Sequence, residues 1–161
     1  MRVDWASWTP RVRATLMFVF DGDRVLLIRK KHGLGAGKIN GPGGKLEPGE
    51  TPMQAACREL TEEVGVVADR VSACGDLSFQ FVDGLAMKVW VFKALGHVGE
   101  AQESDEAEPI WQPVHTIPYD QMWADDRIWL PELLAGRSFR LRAVFDGDAM
   151  LSWELERDVV V

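Results

Sequence analysis

The chain has 161 residues, a length that suits one domain. Apolar residues make up 47% and charged residues 27%, which is ordinary globular usage and argues against disorder. Lys plus Arg total 18 against 25 Asp plus Glu, so the net charge is -7. The overall basic charge of a nucleic-acid polymer binder is absent, and so is a polybasic membrane patch.

No run approaches the roughly 18 apolar residues that a membrane helix needs. The start, Met1 to Trp8, lacks the apolar core of a secretion signal. Cys57 and Cys74 are too few for a disulfide scaffold. The expectation is a cytoplasmic monomer whose partner is a small-molecule substrate, with no nucleic-acid polymer and no membrane.

Residues 1–12 read as a loosely held extension, and 13–161 as a single domain. Arg11–Phe20 is rich in Val, Leu and Phe and reads as a strand. An Asp21-Gly22-Asp23 turn joins it to a hairpin partner, Arg24–Lys30. Residues 31–49 hold Gly33, Gly35, Gly37, Gly41, Gly43, Gly44 and Gly49 and read as a loop of wide backbone freedom. Thr51 opens a helix with Pro52 at its first position, and Gly65 closes it after Val64.

Two strands follow, Cys74–Val82 and Leu85–Leu95, around a tight Asp83-Gly84 turn. A short strand is expected near Ile110–Val114. Pro118–Ala135 reads as broken helix, interrupted at Pro131. The last hairpin pairs Ser138–Asp146 with Ala149–Arg157. Antiparallel hairpins with two or three helices give an α+β domain.

On a helical wheel of Thr51–Val64, Met53, Cys57, Leu60 and Val64 form one narrow apolar stripe, the expected core face. Glu59, Glu62 and Glu63 occupy an arc of about 100° elsewhere. Glu59 and Glu63 are like-charged i,i+4 neighbours, and all three lie where the helix dipole disfavours anions. Arg58 is the only cation among them. Two readings are open: a solvated acidic face, or a site for a multivalent cation. Clustered oxygen ligands would suit Mg²⁺ or Mn²⁺. A neighbouring glycine loop offers backbone N–H groups to a phosphate, so metal and cradle together point to phosphoryl or nucleotidyl chemistry.

These residues also form a signature. Gly44 is followed after five residues by Glu50, and after seven more by Arg58-Glu59-Leu60, Glu62-Glu63 and Gly65-Val66. This resembles a complete Nudix box. The resemblance implies an α/β/α sandwich with a mixed, mostly antiparallel sheet and a loop-helix-loop catalytic motif. It also implies Mg²⁺-dependent, or alternatively Mn²⁺-dependent, hydrolysis of a nucleoside diphosphate linked to another group. Catalytic roles would fall to Arg58, Glu59, Glu62 and Glu63, metal ligation to Gly43, Glu59, Glu62, Glu63 and Glu106, and support of the helix start to Glu50.

The segments 33–41, 104–106 and 117–126 further resemble the oxidised purine nucleoside triphosphate hydrolases of the MutT-homologue type. That resemblance implies hydrolysis of substrates such as 8-oxo-dGTP and 2-oxo-dATP to monophosphate and pyrophosphate. It places Asn40, Trp123, Asp125 and Asp126 around the base. Trp123 offers a stacking face, and Asn40 both a donor and an acceptor. Two adjacent carboxyls in a dry pocket repel, so one should keep its proton and donate. Thr15, Phe79, Phe81 and Met87 are candidate wall residues, though a strand core explains them equally well. Lys30, Lys45, Gly43 and Gly44 are candidates for the phosphates.

The rival readings are a diphosphatase of other nucleotides or cofactors, and a silent nucleotide-sensing Nudix domain. The intact box argues against the second. Neither Gly37-Lys38 nor Gly44-Lys45 is followed by Ser or Thr, so no P-loop is present. His32, His97 and His115 lack zinc-site spacing.

Overall fold

A computed structural model describes residues 1–161. Continuous apolar runs, buried on both faces of the sheet, form β1 (Val12–Asp21) and β2 (Arg24–Lys30), joined by the expected turn with Gly22 at positive φ. Residues 31–49 are less irregular than expected. They contain two short strands, β3 (Ile39–Asn40) and β4 (Gly43–Lys45), which add to β2 and β1. Such brief strands carry too few residues for an alternation to be read.

Helix α1 (Pro52–Val64) begins and ends at the expected residues. Thr51 Oγ1 accepts from the Gln54 N–H at 3.2 Å, while Gln54 Oε1 accepts from the Thr51 N–H at 2.9 Å. Gly65 takes the left-handed cap at φ 72°. The apolar stripe is corrected at one position: Met53 is exposed, and Ala56 is buried with Leu60 and Val64. Small Ala55 and Ala56 let the helix sit close on the sheet, while Met53 in the first turn overhangs it. Cys57 is half-buried at the margin of this core.

The next hairpin is longer than expected: β5 (Val67–Phe81) and β6 (Ala86–Val98). The polar run from Asp69 to Ser72 hides its first half from sequence reading. A register shift between Ala73 and Gly75 bends the strand. Gly75 has no room for a side chain, since a Cβ there would stand 2.3 Å from the Phe139 carbonyl oxygen. Next come β7 (Ala107–Pro113), a 3₁₀ turn at Tyr119–Gln121, and α2 (Asp126–Leu134). Pro131 lies inside α2 instead of interrupting it. The last hairpin is β8 (Phe139–Asp146) and β9 (Ala149–Arg157).

The sheet runs β3-β2-β1-β6-β5-β8-β9, with β4 beside β1 and β7 beside β2. Only β1–β6 and β5–β8 are parallel. The sheet is therefore mixed and mostly antiparallel, with a helix on each side. On one face Met17, Val19, Leu26, Phe92 and Ala94 pack against Ala56, Leu60 and Val64 of α1. On the other, Phe18, Leu77, Val91, Phe139 and Leu141 pack against Trp129, Leu130 and Leu133 of α2. The N-terminal residues are tied down: Trp8 Nε1 donates to Gln80 Oε1 at 2.8 Å. No helix is long and apolar enough to cross a membrane.

Candidate active site

A single cleft of about 610 Å³ runs between the α1 edge of the sheet and α2. Its acidic end comes from three separate elements. Glu59 and Glu63 project from α1, and Glu106 from the loop before β7. Ligand oxygens of all three lie within 4.8 Å of one another. Glu106 is held in place through its backbone: its carbonyl accepts from the Lys31 N–H at 3.0 Å, and its N–H donates to Ser104 Oγ at 3.2 Å.

Glu62 is not in this cluster. Its side chain is 51% exposed and accepts from Arg58 Nη1 at 3.1 Å. The arc of three glutamates thus divides, because Arg58, one turn earlier, draws Glu62 to its own side. Arg58 also grips Glu50 with two bonds, Nε–Oε2 at 2.6 Å and Nη2–Oε1 at 2.9 Å, and reaches Glu59 Oε1 at 2.9 Å. The same guanidinium donates to the Lys45 carbonyl at 3.0 Å. One arginine therefore clamps β4, the helix start and a cluster carboxylate together. It holds the Glu50 carboxyl down to about 2.

Gly43 and Gly44 permit the close approach of strand and helix. The Gly43 N–H donates to Glu63 Oε1 at 3.0 Å. A Cβ at Gly43 would collide with the Thr15 carbonyl, and Thr15 Oγ1 lies 3.4 Å from the Gly44 carbonyl. Burial pushes the Glu63 carboxyl up to about 8; the Gly43 N–H opposes this, and the Glu59 and Glu106 charges reinforce it. Burial raises Glu59 as well, against the pull of Arg58. A buried and a half-buried carboxylate with raised proton affinity, and a third beside them, concentrate negative charge at this end. Lys30 faces it from β2, its Nζ bonded to the Leu34 carbonyl at 2.8 Å; burial lowers its pKa. Lys45 also lines the cleft. An all-oxygen donor set of this kind fits a hard divalent cation such as Mg²⁺ or Mn²⁺.

The other end of the cleft is aromatic and dry. Asn40, Phe79, Met87 and Trp123 line it, together with Asp125 and Asp126. Trp123 meets Phe81 and Phe145 edge-on, at 6.2 Å and 5.6 Å between ring centres. Asp125 and Asp126 are 3% and 7% exposed. Asp125 Oδ2 accepts from Trp129 Nε1 at 2.7 Å. Burial pushes Asp125 up to about 6 and raises Asp126 well above the carboxylate range, with the Asp125 charge adding to the second shift. Near neutral pH the pair holds a proton and presents both a donor and an acceptor.

Three contributors escaped sequence reading. Lys38 Nζ lies 5.3 Å from the Trp123 ring centre, Phe145 closes the aromatic wall, and Trp129 anchors Asp125. Only the last left a local trace, the i,i+4 spacing from Asp125.

The NUDIX domain family model matches residues 10–133. The chain belongs to the Nudix family. Among Nudix proteins it is 44% identical over 144 residues to an oxidized purine nucleoside triphosphate hydrolase of Danio rerio, covering 88% of this chain and 92% of that one. Identity to the Mus musculus protein of the same name is 42% over 143 residues, with the same coverage. The Nudix fold here superposes on the MutT protein from Bacillus halodurans with a TM-score of 0.81 and 29% identity, covering 90% of this chain and 97% of that one.

Proposed function

We propose that this Nudix hydrolase converts oxidised purine nucleoside triphosphates, such as 8-oxo-dGTP and 2-oxo-dATP, to the monophosphate and pyrophosphate. The observation that carries this is the single cleft joining a carboxylate cluster to a dry aromatic pocket that ends in Asp125 and Asp126. The two curated relatives named for that activity support it over nearly their full lengths.

In this reading Trp123 stacks on the base, and the walls of Phe79, Met87 and Thr15 exclude water. Asn40 and the Asp125/Asp126 pair bond the purine edge. A carboxyl pair that can exchange donor and acceptor roles accepts both 6-oxo and 6-amino purines. The triphosphate lies over Gly43 and Gly44, with Lys30 and Lys45 facing its charge.

Glu59, Glu63 and Glu106 would hold Mg²⁺, or Mn²⁺ in its place, with the Gly43 backbone and Glu62 at the edge of the site. When bound, the cation neutralises phosphate charge and lowers the pKa of water. Arg58 fixes Glu59 for this task. Water adds to one phosphorus of the α–β bridge, the bond from that phosphorus to the bridging oxygen breaks, and monophosphate and pyrophosphate separate. The proton of that water goes to Glu62 or Glu63. The protein would act as a monomer, and its two free cysteines suit the reducing cytoplasm.

Pyrophosphate release from 8-oxo-dGTP, 2-oxo-dATP and dGTP, set beside AMP formation from ADP-ribose, tests the reading. Higher kcat/KM for both oxidised purines than for dGTP is expected. A preference for ADP-ribose, or equal rates for damaged and normal purines, contradicts it.

A further inference from the structure

A second cleft, of about 320 Å³, lies on the side of β5 opposite the active-site walls. Its floor is set by strand register. Arg13, Lys88, Ser78 and Arg142 stand side by side on β1, β6, β5 and β8. Trp90, Asp76 and Arg140 form the adjoining row on β6, β5 and β8. Side chains alternate along a strand, so these residues point away from Leu77 and Phe79 in the first cleft. The N-terminal turn supplies the opposite wall. Trp5 and Trp8 pack with ring centres 5.3 Å apart, and the Trp8–Gln80 bond ties them to β5.

Charge at this place runs against the molecule as a whole. Four cations converge here in a chain of net charge -7. Asp76 answers Lys88 at 2.9 Å and Arg140 at 3.4 Å, Glu156 answers Arg142 at 3.0 Å and Arg140 at 4.0 Å, and Glu154 stands opposite Arg142 on β9. Arg13 has no side-chain partner. Cations therefore exceed carboxylates, and three indoles stand beside the surplus. Such a combination of fixed positive charge, a hydroxyl and flat aromatic faces matches a phosphate joined to a planar ring.

We propose that this cleft is a second, non-catalytic nucleotide site that takes a single nucleoside monophosphate. Its phosphate lies by Arg13, Lys88 and Arg142, and its base lies against the indoles of Trp5, Trp8 and Trp90. The volume lies at the small end of ligand sites, which run from about 300 to 1,000 Å³, and favours one nucleotide over a strand. The acidic remainder of the surface repels a polyanion.

AMP is the probe, titrated into the intact protein without divalent cation while the tryptophan indole N–H resonances are followed by NMR. The Trp5, Trp8 and Trp90 signals, assigned from single Trp→Phe variants, are expected to shift saturably. Arg13→Glu should weaken that binding at least about tenfold, and Arg142→Gln should weaken it in the same direction. Adenosine, lacking phosphate, should bind more weakly than AMP. Arg13 is exposed and unpaired, so its variant should melt within about 2 °C of wild type. Unmoved indoles, equal affinity for adenosine, or unchanged affinity in a folded Arg13→Glu protein would overturn the site. Tighter binding of single-stranded DNA than of AMP at the same indoles would replace the nucleotide with a polymer. None of these readouts depends on turnover in the first cleft.

Discussion

A Cβ added to Gly44 would stand 2.4 Å from the carboxyl carbon of Glu59. The obstacle is the end of a flexible side chain, so the fold can absorb the added methyl group, but only by moving Glu59. Gly44→Ala should therefore leave the urea midpoint nearly unchanged and lower kcat/KM by about 10- to 100-fold, the scale of a misplacement near 1 Å. Paired unfolding and steady-state measurements check this. Full activity would show that Glu59 need not occupy its observed position.

Glu63 joins burial to a carboxyl pushed up to about 8. Between the ordinary glutamate pKa and that value, the folded state binds more protons than the unfolded one. Stability from this residue therefore falls as pH rises through the window. Glu63→Gln removes the effect and should raise the melting temperature in EDTA at pH 8. The same change should cut kcat by at least about 100-fold, or about 2.7 kcal/mol. Added Mg²⁺ should raise the wild-type melting temperature more than that of the variant. Thermal melts with and without Mg²⁺ read both effects.

Asp126 gives a second pH test with the same sign. Its folded pKa is raised by burial and by Asp125, so the native state keeps a proton that the unfolded chain loses. Stability is full below the usual carboxylate range and declines as pH rises above it. Asp126→Asn carries no charge. It should raise the urea midpoint at pH 8 and have little effect at pH 3.5. It should also raise KM for oxidised purines more than it lowers kcat, because an amide cannot exchange donor and acceptor roles with Asp125.

Arg58 binds four groups at once, and lysine cannot reproduce a forked contact. Arg58→Lys would lose the paired bonds to Glu50 and leave Glu59 without its orienting donor. An activity loss of about 10- to 100-fold is expected, the range for groups that hold metal ligands in place. Mg²⁺ titration of the rate should show a higher half-saturating concentration. An unchanged Mg²⁺ requirement would reduce Arg58 to a purely structural clamp.

Local chemistry made much of this legible in advance. Thr51, Pro52 and Gly65 mark both ends of α1 because caps act over a single turn. The acidic character of α1 was visible for the same reason, since Glu59 and Glu63 are one turn apart. What sequence could not show was the third carboxylate's arrival. Glu106 reaches the cluster only because β7 pairs with β2, a nonlocal contact that left resemblance as its sole pointer. Met53 lies outside the core, and Ala56 inside it, because a wheel gives direction but not how closely a helix approaches its sheet. Lys38 over Trp123 and Trp8 on Gln80 join residues far apart in the chain and have no local signature.

The most direct test is the Mg²⁺ dependence of pyrophosphate release from 8-oxo-dGTP, in wild type and in Glu63→Gln. Wild-type release that needs Mg²⁺ and nearly vanishes in the variant is the predicted result. Release that persists in EDTA, or survives the loss of the Glu63 charge, would contradict the carboxylate cluster as the seat of the reaction.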